Sequence, residues 1–103
     1  MLAERAGVAR ETAYEVFASG AGGAPFVQYK RVAFERPGEA PVAFSLDLVA
    51  KDLELITGLA SRVGAPMRQA ATSLAIVRDA VADGYGERDM SAVATYLRAE
   101  VPA

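Results

Sequence analysis

Residues 46–63 form an unbroken run of helically spaced apolar side chains, and this run constrains the fold more than any other part of the chain. Apolar residues recur at steps of three and four from Leu46 to Val63, and further leucines widen the apolar sector to more than half of the circumference. A helix with this pattern is covered on most of its sides. The sequence therefore predicts a helical core built around a mostly buried central helix near residues 45–63.

Two adjacent charged residues of this helix, Lys51 and Asp52, fall in different sectors of the helical wheel. Asp52 projects into the apolar sector, whereas Lys51 falls in the polar one. An isolated buried charge costs several kcal/mol, so a buried Asp52 needs a dedicated partner, and we predict that it is a structural carboxylate. Lys51 has Asp47 and Glu54 within one turn, and spacing alone favours an ordinary surface ion pair for it.

Glycine and proline residues divide the rest of the chain into further segments with helical spacing. Pro25 and Pro66 suit the first turns of helices, and Gly64 and Gly84 suit positions just past helix ends. No segment has the alternating pattern of a strand. We therefore predict a single all-α domain, residues 1–103, with about five helices joined by short loops. Besides the central run, the helical segments are 13–17, 26–34, 67–81 and 93–101.

The composition limits the chemistry that this chain can perform. Its 103 residues include no cysteine and no histidine, which excludes thiolate nucleophiles, imidazole acid–base catalysis and the usual zinc ligands, so we expect no metal site. The net charge is −2, and the one basic cluster, Lys30 and Arg31, is followed by Glu35. We expect neither a nucleic acid nor a membrane partner. Without an apolar run of about 20 residues or a leader-like start, cytoplasmic localisation is the default expectation.

Two stretches together resemble the C-terminal helical domain of the β-hydroxyacid dehydrogenases: GEAPVAFSLDLVAKDLELITGLASRVGAPM at 38–67 and DGYGERDMSAV at 83–93. That family includes 3-hydroxyisobutyrate dehydrogenase, tartronate semialdehyde reductase and glyoxylate reductase. Its pattern has a phenylalanine, a Lys-Asp-Leu motif, a Gly-x-Pro junction, and a Gly-x-Gly loop with an aspartate before Ser-Ala. The matching residues are Phe44, Lys51, Asp52, Leu53, Gly64, Pro66, Gly84, Gly86, Asp89, Ser91 and Ala92. The fold implied is that of the 6-phosphogluconate dehydrogenase C-terminal domain.

The resemblance implies that, in a complete NAD(P)-dependent enzyme, different domains carry different parts of the function. There, a Rossmann domain binds NAD or NADP, a linking helix carries the catalytic lysine, and the helical domain closes over the nicotinamide and a small 3-hydroxyacid substrate. By residue matching, Lys51 and Phe44 become cofactor-side residues, and Ser19 and Gly20 weaker substrate-side ones. We expect this chain to lack both the Rossmann domain and the linking helix. The resemblance therefore assigns it no catalytic residue, no cofactor and no turnover of its own.

A second function is consistent with the sequence, namely a helical homodimerisation or interaction module without enzyme activity. The first residues resemble the end of a helix whose partner is absent. We therefore expect an apolar groove near Leu2, Val8, Val16 and Phe17 that a second copy can cover, giving a dimer.

A third alternative concerns residues 2–19, LAERAGVARETAYEVFAS, which are similar to the helix-turn-helix of tetracycline-repressor-like regulators. The helix that would enter the major groove carries Glu11 and Glu15 against Arg10. A DNA-reading helix requires the opposite charge balance, so DNA binding is the least favoured of the three functions.

Overall fold

A computed structural model describes residues 1–102 as an all-α fold with no strand among them, which confirms the predicted fold class. The helices are α1 (Leu2–Arg5), α2 (Arg10–Ser19), α3 (Pro25–Tyr29), α4 (Arg31–Glu35), α5 (Leu46–Val63), α6 (Arg68–Ala80) and α7 (Ala92–Ala99), and a π-helical turn, Val81–Tyr85, extends α6. Seven helices replace the predicted five because α1 is a single turn and the segment predicted at 26–34 is interrupted at Lys30.

Local signals set the two ends of α5, the longest helix. The hydroxyl of Ser45 accepts a hydrogen bond from the backbone N–H of Leu48 at 3.3 Å, a standard N-cap. Gly64 ends the helix with a φ of 69°, a left-handed conformation that costs glycine little. The predicted helix end at Gly64 is thus confirmed. Pro25 lies in the first turn of α3 as predicted, whereas Pro66 lies two residues before α6 rather than inside it.

The core lies where one side of α5 packs against α6 and α7. Leu46 is 1% exposed and contacts Val77, Ala80 and Tyr96. The Tyr96 ring meets the ring of Tyr85 edge to face, with centroids 5.6 Å apart. The partly buried residues around this cluster are Val49, Ala50, Leu53, Ile76, Val81, Tyr85, Ala92, Val93 and Leu97.

The prediction that α5 is mostly buried is wrong. Only Leu46 and Ala60 of its 18 residues are buried. Five large apolar side chains on the other side are between 42% and 65% exposed: Leu48, Leu55, Ile56, Leu59 and Val63. The apolar sector of α5 is wider than the surface that α6 and α7 cover, so its outer half has no partner among residues 1–102.

The N-terminal helices also leave apolar side chains uncovered, as predicted. Leu2, Val16 and Phe17 are 85%, 67% and 69% exposed, and Val8 is 40% exposed. A groove of about 350 Å³ lies beside them, and of these four only Phe17 lines it. Its other walls are Met1, Ala3, Glu4, Arg10, Ala13, Tyr14, Phe26, Val27, Phe34, Ala94 and Arg98. No helix in the described part of the chain is long and apolar enough to cross a membrane.

Candidate functional site

A buried ion pair joins Lys30, between α3 and α4, to Asp89, in the loop before α7. The Lys30 ammonium lies 2.8 and 2.9 Å from the two carboxylate oxygens of Asp89, although the residues are 59 positions apart. Lys30 is 3% exposed and Asp89 is 7% exposed. The pair therefore ties the first half of the chain to the second through two charges that are largely shielded from water.

The Asp89 carboxylate has hydrogen-bond donors on every side. It accepts from the Ser91 N–H at 3.1 Å and hydroxyl at 2.7 Å, and from the N–H groups of Ala43 at 3.0 Å and Phe44 at 3.3 Å. Burial by itself raises the pKa of Asp89, but the hydrogen bonds from Lys30 and Ser91 outweigh it and hold the pKa well below its usual range. Asp89 is thus a structural group that is ionised at neutral pH rather than a proton donor.

The loop that carries Asp89 also holds the start of α5. The first N–H groups of a helix have no partner within it, and here Leu46 donates to the Arg88 carbonyl at 3.0 Å and Asp47 to the Gly86 carbonyl at 2.9 Å. A Cβ at Gly86 would lie 2.4 Å from the Asp47 carboxylate. The absence of a side chain at Gly86 therefore lets the backbone of this loop lie close to Asp47. We call the Lys30–Asp89 pair, together with these contacts, the clasp.

Two of the residues predicted to form the site, Phe44 and Lys51, lie at or beyond the clasp. Phe44 is half-buried, and its backbone is fixed by Asp89 and by the Met90 N–H, which donates to the Phe44 carbonyl at 2.7 Å. Lys51 lies further along α5 with a side chain that is 58% exposed. The clasp therefore fixes the backbone of Phe44 and the start of α5, the helix that carries Lys51.

Asp52 is not the buried carboxylate that the sequence predicts. Its side chain is 45% exposed and lies 3.0 Å from the ammonium of Lys51, its neighbour in the chain. Two features explain the error: the sector into which Asp52 projects is the uncovered half of α5, and a flexible lysine side chain can bend toward an adjacent carboxylate. The buried acid of this fold is Asp89.

Ser19 and Gly20, the predicted substrate-side residues, lie at the end of α2. The Ser19 hydroxyl donates to the Glu15 carboxylate, and a Cβ at Gly20 would approach the Val16 carbonyl oxygen to 2.9 Å. Cavities of about 360, 350 and 180 Å³ are lined by residues other than Ser19, Gly20, Phe44 and Lys51. The binding roles of these four residues therefore stay predictions.

Sequence reasoning missed Lys30, which it grouped with Arg31 as a surface cluster. The signal was present, since Lys30 lies four residues after Phe26 and three before Ala33, in register with apolar side chains. A charge in an apolar register needs a partner, and the partner cannot be found by local spacing when it is 59 residues away.

The clasp and a second carboxylate make stability dependent on pH. The N-terminal ammonium, Arg10 and Arg98 lower the pKa of Glu4 to about 2, and the pKa of Asp89 is also depressed. In the unfolded chain both return to ordinary values near 4, so below pH 4 to 5 the unfolded state binds more protons. The stabilisation that the ionised Glu4 and Asp89 carboxylates give the folded state is therefore complete above about pH 5. It is lost as the pH falls toward the folded-state pKa of each group.

We expect urea midpoints to decrease steadily from pH 5 to pH 2. Glu4→Gln and Asp89→Asn should each reduce the slope of this decrease, because each removes one carboxylate whose pKa differs between the folded and unfolded states. A variant that retains the wild-type slope would show that its carboxylate does not contribute.

Comparisons with known proteins agree with the fold and the loop motifs. The profile of the NAD-binding domain of NADP-dependent 3-hydroxyisobutyrate dehydrogenase matches residues 1–97. The crystal structure of 3-hydroxyisobutyrate dehydrogenase from Salmonella typhimurium superposes with a TM-score of 0.81 and 29% identity, covering 92% of this chain and 33% of that one. This chain thus spans about a third of that enzyme. A search of curated proteins found no match.

These matches confirm the family resemblance read from the Lys-Asp-Leu and Gly-x-Gly motifs. They also account for residues 2–19, the segment similar to a repressor helix-turn-helix, because the profile covers it as part of one helical domain. The family is NAD(P)-dependent. The chain belongs to the 3-hydroxyisobutyrate dehydrogenase family and corresponds to its C-terminal helical domain.

Proposed function

We propose that this chain is the nicotinamide-side and substrate-side domain of an NAD(P)-dependent 3-hydroxyacid dehydrogenase, and that it is catalytically incomplete by itself. The observation that supports this most is the family match over residues 1–97 together with coverage of only a third of the Salmonella enzyme. The remainder of that enzyme has no counterpart in this sequence. Dehydrogenase activity then requires the part of the enzyme that holds the dinucleotide.

In this proposal the described residues serve only one end of NAD(P). A dinucleotide site places the pyrophosphate at a glycine-rich turn between a strand and a helix, and residues 1–102 contain no strand. Lys51 supplies an exposed cation, and Phe44 supplies an aromatic ring on a backbone that the clasp fixes. When bound, the cofactor supplies hydride transfer. In this proposal Lys51 contacts its nicotinamide end or the substrate, Phe44 walls that end, and Ser19 and Gly20 face the substrate.

Asp89 and Lys30 act in this proposal as positioning residues. Both are buried, and the hydrogen bonds of Asp89 to the N–H groups of Ala43 and Phe44 set where α5 begins. A displaced clasp would move the backbone of Phe44 and the start of α5, the helix that carries Lys51. Misplacement of a binding group by about 1 Å can cost on the order of 100-fold in rate, so the clasp matters for activity as well as for stability.

A chimera tests the proposal directly. This chain replaces the matching C-terminal third of the Salmonella enzyme, and NAD(P)-dependent oxidation of 3-hydroxyisobutyrate is followed by absorbance. We expect turnover in the chimera and none in this chain alone. Lys51→Ala should lower kcat/KM on the order of 100-fold, because a charged contact near the reacting atoms is lost.

Arg36→Ala is the matched control for that chimera. The Arg36 side chain is 59% exposed, and among residues 1–102 it pairs only with Glu39, which is itself 58% exposed, so its removal should leave kcat/KM unchanged. Circular dichroism checks that both variants fold. Equal activity of the Lys51 and Arg36 variants would refute the cofactor-side role of Lys51, and turnover by the chain alone would refute its incompleteness.

We also propose a homodimerisation role for this domain. The observation in its favour is the outer side of α5, where five large apolar side chains are between 42% and 65% exposed. Contiguous apolar surface of this kind marks an interaction site in most folded proteins.

A further inference from the structure

A cavity of about 360 Å³ lies beside the clasp, and Asp89 is part of its wall. Its lining residues come from α4, from the loop that joins α4 to α5, and from α7 with the loop before it. We call it the α4–α7 cavity. Cavities of roughly 300 Å³ and more can enclose small organic molecules. The residues to which we assign cofactor or substrate contacts do not line it.

The wall of the α4–α7 cavity has an apolar part and a polar part. All of its polar side chains come from one stretch of the chain, residues 88–95, whereas the loop 37–42 contributes glycine and apolar side chains. Apolar walls with a few polar groups are typical of small-molecule sites, because the apolar part supplies contact area and the polar part fixes orientation. A ligand that matches this wall is polar at one end and apolar at the other. The apolar lining residues are Ala33, Pro37, Ala40, Val42 and Ala92, and the polar ones are Arg88, Asp89, Ser91 and Thr95.

The two charged residues of the wall, Arg88 and Asp89, together favour an anionic ligand. The carboxylate oxygens of Asp89 already accept hydrogen bonds from Lys30, from Ser91 and from two backbone N–H groups, and the Lys30 ammonium balances their charge. Arg88, by contrast, forms no ion pair within residues 1–102. The wall of the cavity therefore carries one uncompensated positive charge.

The ring of Tyr85 orients the Arg88 guanidinium. The guanidinium carbon lies 4.3 Å from the centroid of that ring, which is a cation–π contact. Stacking occupies a flat face of the guanidinium and leaves the N–H groups in its plane able to donate, and a carboxylate can accept two of them in parallel. The Ser91 hydroxyl donates to Asp89 at 2.7 Å, so only its oxygen is left to accept from a ligand, and neither it nor Thr95 adds a charge.

We propose that the α4–α7 cavity binds a short-chain aliphatic monocarboxylate, with the carboxylate on Arg88 and the alkyl chain between the loop 37–42 and Ala33 of α4. Inorganic phosphate lacks an alkyl chain to cover the apolar wall, and a second negative charge would have no partner there. An uncharged molecule would leave Arg88 without a counter-charge. The inference goes beyond the function proposed above and does not depend on the cofactor role of Lys51.

A ligand in the α4–α7 cavity would act on Phe44 through the loop. The loop 37–42 forms one wall, and the next two residues, Ala43 and Phe44, donate their N–H groups to Asp89 in the wall opposite. A molecule bound between these walls holds the loop against the clasp. Because such a ligand binds only the folded chain, it should raise the urea midpoint as its concentration increases.

Titration of the full chain with isovalerate, a short branched monocarboxylate, is the first test. At neutral pH we expect saturable shifts in the amide NMR signals of Ala40, Val42, Ser91 and Thr95. Isovaleramide has the same shape without the charge, and inorganic phosphate has charge without the alkyl chain. Each should bind more weakly by about tenfold or more. Equal binding of phosphate and isovalerate would show non-specific anion binding and overturn the proposal.

Variants of the wall give the second test. Arg88→Gln should weaken isovalerate binding about tenfold or more, because the charge-assisted hydrogen bonds are lost. Arg62→Gln is the matched control, since Arg62 also forms no ion pair within residues 1–102 but lies in the last turn of α5, outside the cavity. It should bind isovalerate like the wild type.

A third variant, Val42→Trp, fills the cavity without changing its charge and should abolish binding. Val42 is 56% exposed, so the larger side chain does not disturb the core. Circular dichroism checks that all three variants fold. Wild-type affinity in either Arg88→Gln or Val42→Trp, or NMR shifts confined to residues outside the cavity, would overturn the proposal.

Discussion

Replacing Asp89 with alanine will lower the free energy of unfolding by about 3 to 5 kcal/mol, the usual cost of removing one partner of a buried ion pair. The Lys30 ammonium, 3% exposed, would be left without its counter-charge, and the N–H groups of Ala43, Phe44 and Ser91 would lose their acceptor. Urea denaturation followed by circular dichroism measures the loss. Since domains of this size have about 5 to 15 kcal/mol in total, the effect is severe.

Two further variants show whether the loss comes from the buried charge. Lys30→Met combined with Asp89→Asn should recover much of it, because the amide oxygen still accepts from the backbone and no unpaired charge remains. Glu39→Ala, which breaks the exposed pair with Arg36 at 3.2 Å, should cost at most about 1 kcal/mol. Similar losses for Asp89→Ala and Glu39→Ala would contradict the structural role of the clasp.

Replacing Gly23 with alanine is expected to produce the second largest loss, about 1 to 3 kcal/mol, which is typical of steric overpacking. A Cβ at Gly23 would lie 2.1 Å from the carbonyl oxygen of Ala18 and 3.1 Å from that of Gly20. The obstruction is backbone, so no side-chain rotation relieves it. The Ala18 carbonyl also accepts a hydrogen bond from the Gln28 amide at 2.9 Å, which any displacement would disturb.

Gly22→Ala is the matched control, one residue earlier in the same turn. A Cβ at Gly22 would meet nothing within 4 Å, so the unfolding free energy should change by at most about 1 kcal/mol, with a gain possible from reduced unfolded-state entropy. Thermal and urea denaturation of the two variants give the comparison. Equal losses at the two glycines would mean that general loss of flexibility, rather than the Ala18 contact, sets the cost.

Several features of the fold could be predicted from local sequence because local forces produce them. Ser45 caps α5 and Gly64 ends it through hydrogen bonds and backbone conformations within a few residues. The spacing of apolar residues correctly located α5 and α6. The family motifs around Lys51 and Gly86 identified the domain, since they combine residue types with spacing over most of the chain.

The buried ion pair of the candidate site could not be predicted from local spacing. The fold does contain a buried acid, but the sequence analysis assigned it to Asp52 instead of Asp89. Spacing shows that one sector of a helix is apolar, but it does not show whether another element covers that sector. Lys30 and Asp89 were not recognised as a pair because 59 residues separate them. Their approach depends on how α3, α4 and α7 pack.

By itself, the sequence determined the helical class, the ends of α5 and membership of the dehydrogenase family, all of which depend on periodicity, capping chemistry or motif spacing. Only the tertiary structure decided which half of α5 is covered, which carboxylate is buried and what holds Phe44 in place. The physical reason is that burial and charge pairing are properties of two surfaces in contact. Each surface can be read along the chain, but the contact exists only once the chain has folded.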